Sequence, residues 1–274
     1  MKSTGNKSAI LWRRFPGAYF VLERLLVNQF TQILSCHTES VTLYRQRYPA
    51  IADRVAYIKN SVDNEIFYPL TLEKREEGRC QLARQLNLPQ NTRFVLFAGR
   101  LHPQKDPVLL VRCMAALNEP TIHLLIAGDG ELADNVCSEI ARLGLSKQVT
   151  MLGSVPQAEL AQLHRICHVF ILTSAYEGLP LVALEALACG TPVVTTRCGE
   201  TPNLLCSRSG VVCEERTPVA IADALRKILR HPDDYPMDSC VRIAQPFHAR
   251  TVVSDVYNQM WHRWEQRSLE AVLS

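Results

Sequence analysis

From residue 94 to residue 229 the chain switches repeatedly between two periods. Short β-rich runs, mostly of consecutive apolar residues, occur at 94–98, 122–127, 149–152, 168–172, 192–196 and 210–213. Between most of them lie longer segments with helical spacing, at 107–117, 131–143, 157–166 and 180–189, and another at 218–229 follows the last run. A strand that is apolar along its whole length has no solvent-facing side, so both faces of its sheet must be covered. That is the condition of a parallel sheet with crossover helices. Six such strands predict an α/β fold with one doubly wound parallel sheet.

Local punctuation agrees. Asp106-Pro107 and Thr217-Pro218 each place a capping side chain before a proline in the first helical turn. Gly144 and Gly190 stand where helices would end in a left-handed turn. In such a sheet ligands sit beyond the carboxyl ends of the strands. The loops to inspect are therefore 99–106, 128–130, 153–156, 173–180 and 197–203.

Composition adds boundaries. The 274 residues are 47% apolar and 21% charged, which is a globular composition and not a disordered one. The net charge of +3 is too weak to imply nucleic acid. Residues 1–60 nevertheless hold nine basic and three acidic side chains. The plainer reading is a solvated basic face; the sharper one is peripheral attachment to acidic lipid heads. Ten cysteines include no pair closer than seven positions, so neither a zinc knuckle nor a redox dithiol is written. Cys167, Cys189 and Cys213 lie in apolar runs and read as small core residues, which suits a reducing, cytoplasmic setting. No apolar run is long enough to span a bilayer. The first 20 residues, interrupted by Arg13, Arg14 and Pro16, make a poor leader peptide.

The chemistry concentrates on two loops. Residues 99–106 carry Arg100 and Lys105 beside Gly99, a planar fork and a point charge suited to a diphosphate. Taken alone, the same residues could equally be a surface loop with two solvated cations. Glu177-Gly178-Leu179-Pro180 leads into a helix whose N–H groups form an anion site, while a carboxylate there accepts strongly from sugar hydroxyls. Glu185 is flanked by Leu181, Val182, Ala183, Leu184, Ala186, Leu187 and Ala188. A lone carboxylate on so apolar a helix must find a partner, because burying it unpaired is costly.

Residues 55–229 resemble the C-terminal half of a group 1 retaining glycosyltransferase of GT-B architecture. The resemblance rests on NSVDNEIF (60–67), FAGRLHPQKDP (97–107), IAGDGEL (126–132), LGSVP (152–156) and SAYEGLPLVALEALACGTPVV (174–194). It implies transfer of a sugar from a nucleotide-sugar donor to an acceptor hydroxyl with retained configuration. Arg100 and Lys105, beside Gly99, would neutralise the diphosphate, and Glu177 would hold the transferred sugar, these three being the expected catalytic residues. Gly178 and Leu179 would supply backbone donors, Glu185 would accept from the ribose, and Val155 and Pro156 would lie near the base. Gly128 and Gly130 match a family turn that could be purely conformational. No cofactor is expected and no metal, since no Asp-x-Asp motif is present. The acceptor would be a glycan, a lipid-linked molecule or a small molecule.

Two departures stand out. In the loop 198–203, Glu200 occupies the place of a usual glycine and Asn203 that of a usual glutamate. Upstream, only about 60 residues stand where the family carries a whole α/β domain. They resemble its tail, with helices at 19–30 and 39–48 and strands at 31–36 and 55–59. The expected division is thus a remnant of the acceptor-side domain (1–68), a nucleotide-sugar-binding domain (69–245) and a helix returning to the N-terminal part (246–274). His37 is an incidental histidine rather than a base. Tyr257, Trp261 and Trp264, at helical spacing, read as packing residues. The alternatives are a non-catalytic nucleotide-sugar-binding fragment, or one half of a two-chain transferase whose partner chain supplies the missing domain. A nucleotide-sugar epimerase fits the fold but accounts less well for residues 177–185.

Overall fold

A computed structural model describes residues 16–273. Residues 1–15, which carry most of the leader reading and part of the basic excess, lie outside the described residues. The chain forms two compact units, residues 1–59 with 256–274, and residues 60–255.

The smaller unit contains α1 (Pro16–Val27), β1 (Ile33–Ser35), α2 (Thr38–Arg47) and β2 (Val55–Tyr57). Its two short strands pair in parallel, Ile33 opposite Val55 and Ser35 opposite Tyr57. Val27, Val41, Tyr48, Ile51 and Val55 make its small core. Val21, Leu22, Leu25, Leu26 and Phe30 remain exposed.

The larger unit runs through α3 (Leu72–Gln85), β3 (Arg93–Ala98), α4 (Pro107–Leu117), β4 (Ile122–Ala127), α5 (Ala133–Arg142), β5 (Val149–Gly153), α6 (Gln157–Ile166), β6 (Val169–Leu172), α7 (Leu181–Ala188), β7 (Val193–Thr196), α8 (Thr201–Leu204), β8 (Gly210–Cys213), α9 (Pro218–Arg230) and α10 (Met237–Ala244). The last helix, α11 (Ala249–Leu273), begins here and passes into the smaller unit. All six strands β3–β8 are parallel, in the order β5-β4-β3-β6-β7-β8.

Alternation along each strand divides the core. Val95, Phe97, Leu124, Ile126, Val169 and Ile171 face α4 and α9. Phe94, Leu96, Ala98, Leu125, Phe170 and Leu172 face α6, α7 and α10. Each of these side chains larger than alanine contributes roughly 1.5–3 kcal/mol on burial, and supplying both faces is why these strands are mostly apolar. The capping residues act as expected: Asp106 accepts from Leu109 N at 3.1 Å and Thr217 from Ala220 N at 3.3 Å.

The sequence pattern contains no helix at 72–85, yet α3 forms there. Its face is mostly polar and exposed, so no apolar stripe betrays it. It is anchored instead by buried Arg75, whose guanidinium donates to the carbonyls of Cys167, Cys189 and Gly190 and to Thr191 Oγ1. On α11, Tyr257, Trp261 and Trp264 are exposed and pack on one another, with ring centroids 6.4 and 5.2 Å apart, rather than into a core. No helix among the described residues is long and apolar enough to cross a membrane.

Candidate functional site

Strand order reverses between β3 and β6. β4 and β5 continue on one side, β7 and β8 on the other. Crossover helices leaving these two neighbours go to opposite faces, so the loops after them part and leave a crevice. Those loops are 99–106 and 173–180, the ones carrying Arg100, Lys105 and Glu177.

Lys105 Nζ lies 2.5 Å from Glu177 Oε1, the side chains being 17% and 7% exposed. Ser174 Oγ donates to the same oxygen at 2.6 Å. The loops are tied together around this pair: Ala175 N donates to Gln104 O at 2.8 Å and Gln104 Nε2 to Tyr176 O at 3.0 Å. Thr173 Oγ1 donates to the carbonyls of Lys105 and Asp106 at 2.8 and 3.0 Å. Asp106 adopts a left-handed conformation (φ 46°), and its carboxylate pairs with Arg216, which also donates to Thr173 O at 3.3 Å. The corner that aims Lys105 is therefore held from three sides.

Behind Glu177, Gly178 O accepts from Glu200 N at 2.9 Å, and Leu179 O accepts from Asn60 Nδ2 at 2.7 Å. Gly199 (φ 59°) lies so close that a Cβ there would stand 2.3 Å from Gly178 O and 2.4 Å from Glu177 O. Only glycine permits that approach. Gly128 serves the neighbouring loop in the same way, since a Cβ would meet Gly99 O at 1.9 Å. Arg100 follows Gly99 at the rim and is exposed, with no partner for its guanidinium among the described residues. Val155 is half-buried, and exposed Pro156 precedes α6.

Glu185 stands apart. It lies in the middle of α7, and burial pushes its carboxyl up to about 7. The partner its apolar surroundings demand is not a cation. His164 Nε2 lies 3.8 Å from Glu185 Oε2, and burial pulls that imidazole down to about 3. The structure thus joins Lys105, Glu177 and Gly178, places Arg100 on the same loop, and gives Glu185 separate surroundings. Sequence reasoning missed Ser174, Thr173, Arg216 and His164. Ser174 could have been found, being a hydroxyl three positions before Glu177 in a loop already singled out. The others act through tertiary contacts that no local pattern encodes. Among the described residues no group of three or more His, Cys, Asp or Glu is placed to hold a metal ion.

Residues 79–244 match the family model described as glycosyl transferases group 1. The chain belongs to this family. It is similar to the D-inositol 3-phosphate glycosyltransferase of Corynebacterium glutamicum, with 30% identity over 84% of this chain and 56% of that protein. The corresponding protein of Stackebrandtia nassauensis is 36% identical over 78% of this chain and 49% of its own length. The chain spans about half the length of the curated relatives it matches. In three dimensions it is similar to Anabaena HepE, solved with UDP and glucose, with a TM-score of 0.75, 22% identity, and coverage of 90% of this chain and 68% of that one. It is also similar to the C-terminal domain of a group 1 glycosyl transferase from Francisella tularensis, with a TM-score of 0.55, 22% identity, and coverage of 72% of this chain and 98% of that domain. These likenesses establish the GT-B-like fold of the group 1 glycosyl transferases.

Proposed function

We propose that the larger unit is the donor-binding half of a glycosyltransferase that moves a sugar from a nucleotide-sugar to an acceptor hydroxyl with retention of configuration. One observation carries the reading: a cation and a carboxylate, Lys105 and Glu177, meet at the switch point in front of the N-terminus of α7. A nucleotide-sugar offers the complement, a diphosphate for the cation and sugar hydroxyls for the carboxylate. Breaking the anomeric bond loads negative charge onto the diphosphate. Lys105, Arg100 and the N–H groups of Gly178 and Leu179 would receive that charge. Glu185 would accept from the ribose, and Val155 and Pro156 would border the base.

The ten cysteines are all unpaired, which supports the proposed cytoplasmic setting. The relatives suggest a cyclitol phosphate among the acceptors worth testing. Calorimetric titration with UDP, GDP and ADP and their sugars tests the donor reading. Binding of one series is expected, and silence with all of them contradicts it. The share of the relatives that the chain spans supports a second reading, in which another chain or segment completes the acceptor side. Sugar transfer that appears only on adding such a partner would favour it.

A further inference from the structure

The pair Glu185–His164 is unexplained by the donor reading. His164 is fully buried, and both its ring nitrogens lack a hydrogen-bond partner among the described residues, as does Glu185 Oε2. Two unsatisfied polar side chains facing each other in an apolar core are costly unless they serve one another. His164 packs against two aromatic rings, 5.0 Å from that of Phe170 and 6.0 Å from that of Phe67, with Nε2 3.8 Å from Glu185 Oε2. At 3.8 Å the two atoms are too far apart for a hydrogen bond, and a movement of under about 1 Å closes the gap. Glu185 keeps 14% of its side chain exposed, so a ligand can reach it while Oε2 stays sealed.

We infer that His164 is a positioning residue for Glu185: the pair holds one proton, which rests on the carboxyl in the empty site and passes to the imidazole when ribose hydroxyls dock. This rests on the proposed donor site. Ribose O–H groups donate to a carboxylate and stabilise its charge. The proton leaves the Glu185 carboxyl oxygen and binds His164 Nε2, leaving the net charge unchanged. Donor uptake then costs no proton release to solvent, and affinity stays level at pH values below about 7.

The surrounding groups permit this. Cys189 at the C-terminal end of α7, Cys167 beside α6 and Cys240 on α10 are each pushed by burial up to about 12 and stay neutral. Asp238 and Arg242 of α10 are exposed. β6 and β7 bring no titratable side chain. The nearby cations Arg75, Arg79 and Arg165 are engaged by the carbonyls of Cys189, Ile166 and Tyr68.

The test counts protons. UDP, GDP and ADP are titrated at pH 6.5 into the wild-type protein and into His164→Leu, each in two buffers of different ionisation enthalpy. The wild type is expected to release no more protons than the nucleotide's own phosphate sheds, while His164→Leu releases a large further fraction of one and its affinity falls several-fold per unit as pH is lowered below 7. Equal proton counts in the two proteins overturn the inference and leave the donor site standing. Absence of binding by all three nucleotides in the wild type overturns both. Should His164→Leu fail to fold, nitrogen-15 NMR of the wild-type histidines reads the same step. A ring that turns to the imidazolium pattern on adding nucleotide supports it, and one that stays neutral refutes it.

Discussion

Glu177 and Glu185 stand eight positions apart in one motif and occupy opposite surroundings. Glu177 is met by an ammonium and a hydroxyl, Lys105 and Ser174. Glu185 is met by apolar side chains and a neutral imidazole. The difference teaches that identical side chains meet different partners according to what the fold packs around them, and that burial without a cation raises the carboxyl of Glu185. Glu177 is closed into an ion pair with Lys105, which the diphosphate of the proposed donor would have to open. Glu185 is held against its charge by burial, and hydroxyl donors of the proposed ribose would relieve that cost.

The largest expected effect comes from breaking the first pair. Lys105→Ala leaves Glu177 buried without its cation and should cost about 3–5 kcal/mol of stability, read from denaturant midpoints. The double variant Lys105→Ala/Glu177→Gln should recover part of that loss. No recovery would mean that the two side chains are not coupled.

Glu185→Gln should act in the opposite sense. Glu185 is raised from 4.5 to about 7 in the fold. Its favourable contribution is therefore complete below about 4.5 and lost as pH rises through 7. The glutamine variant should be the more stable protein at pH 8, by on the order of 3 kcal/mol, with the gap closing toward pH 5. His164 has the reverse sign. Lowered from 6.5 to about 3, it contributes fully above 6.5 and less as pH falls toward 3. Thermal melts across pH of both variants separate the two.

Arg100 is exposed, so Arg100→Ala should leave stability unchanged while removing roughly 1.5–3 kcal/mol of nucleoside diphosphate binding, the scale of a charged hydrogen bond. Calorimetry checks it, and an unchanged affinity would remove Arg100 from the site. The smallest effect is conformational. Gly199→Ala forces a Cβ against the carbonyls of Glu177 and Gly178 and strains a positive φ, costing about 1–2 kcal/mol, with a matching fall in donor affinity.

Much of this comparison could be read in the chain. The six strands, the helices between them and the caps at Asp106 and Thr217 follow from apolar runs, helical spacing and turn chemistry, because a two-sided sheet buries both faces of its central strands. Both loops of the switch point were legible, since Arg100, Lys105 and Glu177 sit at strand ends. The isolation of Glu185 was legible too, from the apolar residues that flank it. What closes around it was not. His164 is 21 positions upstream of Glu185 on another helix, and only the packing of α6 on α7 brings it near. Arg75 escaped for the same reason: a buried cation serving carbonyl oxygens leaves no period in the sequence. Tyr257, Trp261 and Trp264, read as packing residues from their helical spacing, pack on one another while staying exposed.

The most direct measurement is a crystal structure with the nucleotide-sugar that binds. It should place the diphosphate against Lys105 and Arg100, the sugar on Glu177 and the ribose on Glu185, with the Lys105–Glu177 contact opened to admit them. Density for the ligand at the other end of the sheet, or an intact Lys105–Glu177 pair beneath a bound donor, would contradict the account.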